Sequence, residues 1–264
     1  MKRLTLTVAL ALFGGICAQA QIASDNASNY GGSWTNGSNG GTGFLAWSIS
    51  NNNNGVTLFA GNFLGDSTAG AGNINTSGVS FGLYANPATS FVSADRGFAL
   101  ALTSGDVFTF QLALNADNGN KGFNLYAGSQ GEVFNFNVGT GASVSSANAT
   151  LSPGSGAGYN YGGNDAVLTV TISVTSASQF AYDISRTSSQ GFQGTLFGGN
   201  VSDLTDDLSG FSFYVSGTDA GGAPQNNLYI NNLSVTEVPE PSTYAALVGL
   251  VVLSWAACSR RRRA

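Results

Sequence analysis

Few residues of this 264-residue chain are able to do acid–base or nucleophilic chemistry, because it contains no histidine and only two cysteines. The absence of histidine excludes a Ser-His-Asp or Cys-His catalytic site and any histidine metal centre. Carboxylates remain, and glycoside hydrolysis needs two of them facing each other across a cleft. Glu132 and Asp183 lie within strand-like segments. A carboxylate-dependent glycoside hydrolase built on this pair is therefore one alternative.

Oxygen-rich loops offer a second kind of chemistry, the binding of a structural Ca²⁺ ion. The segments 115–122 and 202–207 contain the candidate ligands Asp117, Asp203, Asp206 and Asp207. Neither segment has EF-hand spacing, and aspartate is also an ordinary turn residue beside glycine, asparagine or serine. The Asp-Asn-Gly order in the first segment predicts a hairpin turn. We therefore assign no cofactor or metal and keep Ca²⁺ as an alternative.

Exposed aromatic rings are the third candidate, as stacking platforms for sugars. Tyr159 and Tyr161 stand in a glycine-rich loop without strand periodicity, and we select them as the pair for glycan contact. Most large aromatic side chains of a β-sandwich belong to its core or edges. The same consideration applies to the other candidates, which are Trp34, Trp47, Tyr84, Tyr126 and Tyr214.

The segments that must position these residues alternate apolar and polar residues with period two. The clearest are DVFTFQLAL (106–114), EVFNFNV (132–138), AVLTVTISV (166–174) and GFSFYVSG (210–217), and weaker runs lie at 55–63, 78–85, 97–103, 122–128, 179–186 and 194–199. This pattern predicts half-buried strands. In the last run, 226–235, the parity changes, which predicts a bulge near Asn231-Asn232. We expect an all-β domain, an antiparallel β-sandwich of the jelly-roll kind, with turns such as Asn118-Gly119.

The first twenty residues have the pattern of a signal peptide. A positive start (1–3) precedes an apolar run (4–16), and Ala18 and Ala20 form the small-x-small pattern of a cleavage site. We predict export by the Sec machinery and cleavage by signal peptidase after Ala20. Acylation at Cys17 is an alternative, although the residue before it, Ile16, is larger than a lipoprotein site normally has.

The predicted exported body, residues 21–237 with an irregular lead-in at 21–43, is acidic. It contains thirteen acidic residues and only three basic ones, Arg96, Lys121 and Arg186, for a net charge of −10. Three scattered cations cannot neutralise a row of phosphates, so nucleic-acid binding is excluded. The body has no cysteine and hence no disulfide, so its hydrophobic core alone must hold it together.

The end of the chain, residues 238–264, combines three elements in a fixed order. An uncharged run, 243–258, covers roughly 24 Å as a helix, somewhat less than the ~30 Å hydrocarbon core of a membrane. We predict it to be a transmembrane helix. Arginines beside such a helix stay on the cytoplasmic side, which places the body outside. The motif at 238–243 contains Pro239, Glu240, Pro241, Ser242 and Thr243, and the basic cluster is Arg260, Arg261, Arg262 and Arg263.

This order of elements resembles the PEP-CTERM sorting signal of Gram-negative bacteria. The resemblance implies recognition by an exosortase, which cuts near the motif and releases or re-attaches the body at the cell surface or in the extracellular matrix. The two prolines around Glu240 favour an extended, accessible backbone. A plain proline-rich stalk before a tail anchor is the alternative. The Gly/Asn-rich body loosely resembles the β-sandwich cargo that precedes such signals.

These observations predict a non-enzymatic, exported protein that passes through an intermediate anchored in the inner membrane. Its role would be structural or adhesive in an exopolysaccharide layer. A carbohydrate-binding, lectin-like module is the alternative from another class, with exopolysaccharide as its partner, and the glycoside hydrolase is a further one.

Overall fold

The computed structural model of the chain describes residues 20–52, 60–86, 89–116, 118–139, 142–146, 150–151, 165–187, 193–218 and 222–238. Residues Gln21–Glu237 form one compact unit. Fifteen strands in the described part of the chain form two antiparallel sheets that pack as a sandwich, which confirms the predicted fold class. The predicted signal peptide and transmembrane helix lie outside the described residues. Within those residues, no helix has the length and apolar character needed to cross a membrane.

The larger sheet contains eight of these strands. They are β1 (Ala20–Asp25), β3 (Ala60–Gly65), β4 (Ser80–Ala85), β6 (Asp106–Leu114), β11 (Ala166–Ser176), β12 (Gln179–Arg186), β13 (Gly194–Val201) and β15 (Leu228–Glu237). Their order is β13-β12-β11-β6-β15-β4-β3, and β1 also pairs with β15.

The smaller sheet contains the other seven strands. They are β2 (Ser48–Asn52), β5 (Phe91–Leu102), β7 (Asn120–Ala127), β8 (Gly131–Val138), β9 (Ala142–Ser146), β10 (Thr150–Leu151) and β14 (Leu208–Ser216). Their order is β10-β9-β8-β7-β14-β5-β2, so β7, β14 and β5 lie side by side at the centre. Short 3-10 turns connect strands at Ala27–Tyr30, Ser67–Ala69, Gly128–Gln130 and Pro224–Asn226.

Alternation along the strands places the apolar face inside, as the sequence predicts. Phe108 and Phe110 on β6 stack with their ring centroids 5.1 Å apart, and Phe110 lies 4.9 Å from Phe123 and 5.1 Å from Phe213 of the smaller sheet. These centroid separations are those of favourable aromatic pairs. Interlocking rings therefore hold the two sheets together without a disulfide.

Two local predictions have different outcomes. The bulge in β15 is confirmed, because the register with β6 shifts between Asn231 and Ser234, and Asn232 has a φ of 56°. The hairpin turn predicted at Asn118-Gly119 is wrong, since this segment leads from β6 in the larger sheet to β7 in the smaller one. Both edges of β6 are already paired, with β11 and β15, so the chain must change sheets here.

The lead-in at 21–43 contains more regular structure than its composition suggests. It supplies β1 and the 3-10 turn Ala27–Tyr30, and its remainder crosses the sandwich without forming a named strand. Trp34 is buried against Trp47 and Phe81, with ring centroids 5.3 and 4.8 Å away. Large aromatic contacts thus order a segment that has no hydrophobic periodicity of its own.

Candidate functional site

Most of the predicted site residues lie outside the described part of the chain. This holds for Ala18 of the predicted cleavage site, for Asp117, and for the tyrosines selected for glycan contact, Tyr159 and Tyr161. It also holds for the sorting-motif residues Pro239, Glu240, Pro241, Ser242 and Thr243 and for Arg260, Arg261, Arg262 and Arg263. Ala20 is described and begins β1. The roles predicted for these residues remain predictions.

Asp206 holds the 202–207 loop against the neighbouring 3-10 turn, Gly128–Gln130. Asp206 accepts hydrogen bonds from the backbone N–H and the hydroxyl of Ser129, at 2.9 and 2.7 Å, and these bonds lower its pKa. Asp203 has a φ of 67° and accepts a bond from the Ser202 hydroxyl. Within the described ranges, no group of three or more acidic residues converges in a way that could hold a metal ion.

The two carboxylates weighed for hydrolysis point away from each other. Glu132 lies on the outer side of β8 in the smaller sheet, whereas Asp183 lies on the outer side of β12 in the larger sheet. Asp183 accepts a hydrogen bond from the Thr195 hydroxyl at 2.6 Å. Because both sheets of the sandwich separate these two side chains, they do not flank a common cleft and are not arranged as the paired carboxyl groups of a glycosidase.

The three cations of the body are all buried. Arg96 points into the sandwich, where its side chain forms an ion pair with Asp25 and lies over the rings of Phe44 and Trp47, 4.9 and 4.8 Å from their centroids. Arg96 Nε also donates to the backbone carbonyl of Leu45 at 2.6 Å. This arginine therefore fixes the lead-in, through Asp25, and the Leu45 backbone that follows it against the inner side of β5.

Lys121 and Arg186 are equally enclosed. Lys121 Nζ donates to the backbone carbonyls of Ala116 and Asn226 at 2.7 and 2.8 Å, and Arg186 pairs with Asp165 at 3.1 Å. Since residues 21–237 contain no other lysine or arginine, no cation of the body reaches solvent. The surface of the body carries negative charge only.

The aromatic candidates separate into buried and surface side chains. Trp34 and Trp47 are 3% and 1% exposed and belong to the core. Tyr84 lies on the outer side of β4 in the larger sheet, whereas Tyr126 and Tyr214 share the outer face of the smaller sheet. Two tyrosines of adjacent strands are therefore brought together on one surface.

Amide side chains connect these two tyrosines. Asn135 Nδ2 donates to Asn124 Oδ1 at 2.6 Å and to the Tyr214 hydroxyl at 2.8 Å, and Asn124 Nδ2 donates to the Tyr126 hydroxyl at 3.2 Å. Burial, which is the main cause, raises the pKa of Tyr214 to about 12. Burial also raises the pKa of Glu132, beside Tyr126. The network locks the side-chain positions on this face.

A groove crosses the same face next to Tyr126. Gly210 on β14 lies in register with Tyr126 on one side and Gly97 on the other, and the Leu45 N–H donates to the Gly97 carbonyl at 2.9 Å. Two glycines therefore form a floor without side chains, between Tyr126 and the half-exposed Leu45. Ser48 and Asp95 complete the lining of this glycine groove, whose volume is about 270 Å³.

The glycine groove presents both an apolar surface and polar atoms. In the described part of the chain, Asp95 receives one hydrogen bond, from the Ser93 hydroxyl at 3.0 Å, and its second oxygen, Oδ1, has no protein partner. The Tyr126 hydroxyl accepts from Asn124 but donates to no described group. A ring-shaped ligand with hydroxyl groups would find an aromatic wall, an acceptor and a donor within one groove.

A comparison with family models gives one match, to the PEP-CTERM protein-sorting motif, over residues 237–263. The match begins at the last residue of β15 and includes the motif, the apolar run and the arginines. The chain carries a PEP-CTERM sorting signal. Such a signal marks an exosortase-sorted extracellular protein and implies export, processing at the membrane and a final place at the cell surface or in the matrix.

Comparison of the PEP-CTERM chain with solved structures returns weak similarities to other β proteins. A toad ovary galectin in complex with thio-digalactose has 14% identity and a TM-score of 0.34, over 54% of this chain and 97% of the galectin. The CBM2 module of the Lactobacillus casei BL23 phage J-1 evolved Dit has 11% identity and a TM-score of 0.47, over 84% and 98%. An alginate lyase from Corynebacterium sp. has 12% identity and a TM-score of 0.41, over 81% and 99%.

These similarities are too distant to support a function for the PEP-CTERM chain. A search of curated proteins found no match to its sequence.

The residues of the glycine groove were not predicted as a site, apart from Tyr126 as one of several aromatic candidates. The sequence contains five Gly-Phe pairs, and nothing in it distinguishes the two that supply the floor, Gly97-Phe98 and Gly210-Phe211. In both of these pairs the glycine lies on the outer face while the phenylalanine is buried, and the two rings are 5.4 Å apart. The sequence of the PEP-CTERM chain does not show that β14 and β5 are neighbours, so the pairs could not be joined into a site.

Proposed function

We propose that this chain is a non-enzymatic protein of the cell surface or extracellular matrix, with a structural or adhesive role in an exopolysaccharide layer. The observation that carries the proposal is the PEP-CTERM motif at 237–263, which begins at the last residue of a compact β-sandwich. Exosortase processes the tail after the Sec machinery and signal peptidase have exported the chain. The inner membrane holds it only transiently.

The carboxylates of the body support a role without catalysis. Asp95 and Glu132 share the outer face of the smaller sheet, on β5 and β8. Two further strands separate them, so their backbones are about 14 Å apart at a strand spacing of about 4.8 Å. Paired carboxyl groups of glycosidases lie within roughly 5–9.5 Å of each other. The two backbones are therefore farther apart than paired carboxyl groups, with Tyr126 on the strand next to Glu132.

The experiment is replacement of Pro239, Glu240 and Pro241 by alanines in a host that carries an exosortase. We expect the variant to remain in the membrane fraction at its unprocessed size, because the extended, accessible backbone for cleavage is lost. Fractionation followed by gel analysis measures this outcome. A matched control replaces Pro224 and Gln225, within the body, by alanines. If the motif variant reached the surface at the wild-type processed size, the sorting role would be wrong.

A second function, carbohydrate binding, is favoured by the glycine groove. Its aromatic wall, glycine floor and unpaired carboxylate oxygen are the features expected of a sugar site, with an apolar platform and a few fixed polar groups. The buried aromatic rings Trp34 and Trp47 are unable to serve in this way. Co-sedimentation of the full chain, purified in detergent, with insoluble polysaccharides tests this function. Saturable binding supports it, and the absence of binding to every polysaccharide leaves the adhesive role to protein–protein contacts.

A further inference from the structure

We infer that the glycine groove binds an uncharged pyranose unit of a polysaccharide and discriminates against acidic sugars such as uronates. The inference rests on the carbohydrate-binding function proposed above and specifies its ligand. It depends on the geometry of the groove and on the distribution of charge over the body.

The shape of the groove suits a flat ring. Tyr126 and Leu45 stand on either side of Gly210 and Gly97, so a flat ring can approach the sheet backbone between two apolar walls. A Cβ atom on Gly97 would lie 2.8 Å from Leu45 Cδ1, and one on Gly210 would lie 2.8 Å from the Arg96 carbonyl oxygen. A side chain on Gly210 would therefore meet the backbone, whereas one on Gly97 would press on the exposed end of Leu45. The space of about 270 Å³ is near the lower end of ordinary ligand pockets. This size suits one sugar unit of a chain.

Polar atoms around the groove are placed to bind hydroxyl groups. Asp95 Oδ1 is an acceptor without a described protein partner, and the Ser48 and Tyr126 hydroxyls are not committed as donors within the described part of the chain. A pyranose presents an apolar face of C–H groups and a rim of hydroxyls. Its apolar face would rest on Tyr126 or Leu45, while a rim hydroxyl donates to Asp95. The carboxylate makes charge-assisted hydrogen bonds of this kind stronger than neutral ones.

The charges on and near the groove are anionic. Asp95 lines the groove, and Glu132 lies on the far side of Tyr126, on β8. Arg96 is the nearest cation, but it points inward and its charge is neutralised by Asp25. Lys121 and Arg186 are also buried. A sugar carboxylate would meet repulsion in the groove and a body of net charge −10 around it, without any cation to offset this.

The test uses the full chain, purified in detergent, with three soluble probes: an unbranched neutral glucan, a polygalacturonate and a partly deacetylated chitosan. The buffer contains a chelator, so that divalent cations cannot bridge two anionic partners. We expect saturable glucan binding that is unchanged between 50 mM and 500 mM salt, and no polygalacturonate binding. Stronger binding of chitosan that disappears at high salt, with no glucan binding, would contradict the uncharged ligand, and so would polygalacturonate binding.

Variants assign the binding to the groove. We expect Tyr126→Ala and Asp95→Asn each to weaken glucan binding roughly tenfold or more. The matched controls Tyr84→Ala and Asp183→Asn change the same residue types on the outer face of the larger sheet and should leave binding unchanged. Melting temperatures verify that each variant is folded. If Tyr126→Ala and Asp95→Asn did not affect glucan binding, the assignment of the site to the glycine groove would be wrong, while carbohydrate binding would still hold. If no probe bound, both proposals would be wrong.

Discussion

The interior of the sandwich and the outer face of its smaller sheet use the same kinds of residue for opposite purposes. Inside, the cations and most of the large aromatic rings are fully enclosed, and each cation has anionic or carbonyl partners. Outside, tyrosines and asparagines hold one another in fixed positions and leave Asp95 with a free oxygen. The difference teaches that residue type alone does not identify a binding residue. We propose an unpaired polar atom beside an accessible ring as the better criterion.

This contrast predicts that changes to the interior alter stability and that changes to the outer face alter binding. The largest effect is expected for Arg96→Met, which leaves the Asp25 carboxylate buried without its cation. Removing one partner of a buried ion pair costs about 3–5 kcal/mol. Urea unfolding of the purified chain, followed by near-ultraviolet circular dichroism, measures the loss.

Two controls make this result specific to the buried charge. The double variant Asp25→Asn, Arg96→Met should be more stable than Arg96→Met alone, because it removes the unpaired carboxylate. Asp165→Asn removes the charge that faces the buried Arg186 but keeps a side-chain oxygen as acceptor, and Asp165 is 31% exposed, so this variant should lose less stability than Arg96→Met. Equal losses for Arg96→Met and Asp165→Asn would contradict the distinction between a fully buried pair and one whose carboxylate is partly exposed.

A smaller loss is expected for Lys121→Met. The methionine retains the apolar stem of Lys121, but the carbonyls of Ala116 and Asn226 lose a donor. Buried acceptors left unsatisfied cost about 1–3 kcal/mol. The same urea experiment measures the change, and glucan binding serves as the second measurement. A variant with wild-type stability and weaker binding would show that this interior lysine acts on the outer face.

Tyr214 lies between the two regions, because its ring is largely buried while its hydroxyl belongs to the surface network. Its pKa is raised from 10.0 to about 12 in the folded protein. Folding therefore favours the neutral form of Tyr214. The resulting contribution to the free energy of unfolding is complete below pH 10 and is lost as the pH rises towards 12. Tyr214→Phe should cost about 1 kcal/mol at pH 7 through the lost hydrogen bonds.

The pH dependence of the unfolding free energy distinguishes the effect of burying the Tyr214 ring from the effect of losing its hydroxyl. Between pH 10 and 12 the wild-type chain should lose stability faster than Tyr214→Phe, so the gap between them narrows. Tyr30→Phe is the matched interior control, since burial and a hydrogen bond to Asp25 raise the pKa of Tyr30 to about 12 as well. Parallel stability curves for wild type and Tyr214→Phe above pH 10 would contradict the raised pKa.

The smallest effect on stability is expected for Gly97→Ala, which places a methyl group on the floor of the groove. The methyl would press on Leu45 Cδ1, the end of a side chain that is 54% exposed and able to rotate. We expect a change in unfolding free energy below about 1 kcal/mol, together with weaker glucan binding. Unchanged binding would show that the ligand does not reach the floor.

How much of this structure the sequence could predict differs between strands and site. The run DVFTFQLAL coincides with β6, and QFAYDISR coincides with β12, because alternation fixes both the strand and its buried face. The lead-in was predicted as irregular although Trp34 and the partner of Arg96, Asp25, lie within it. The lead-in is ordered by contacts with residues that are distant in sequence, and a local hydrophobic period does not predict such contacts.

The glycine groove shows the same limit at the level of the site. Its members come from five separate segments: the stretch between the lead-in and β2 at Leu45, β2 at Ser48, β5, β7 and β14. Tyr126 is one of several aromatic candidates in the sequence, and Asp95 is not among the residues predicted for any site. Strand order brings them together, and it depends on pairing between distant segments, such as that of Gly210 with Gly97 on one side and Tyr126 on the other. The alternating pattern predicts which face of each strand is buried, but it does not predict which strands lie next to each other.

The position of β15 has a mechanical consequence. This strand is hydrogen-bonded to β6 through its C-terminal half, up to the pair Glu237–Asp106, and it also pairs with β4 and β1. The sorting motif follows it at once along the chain. A tensile load applied through that motif would act along the strand, so the ladder bonds would share the force in shear instead of opening one after another. A protein attached through its C-terminal end would therefore resist detachment through β15, a strand inside the larger sheet.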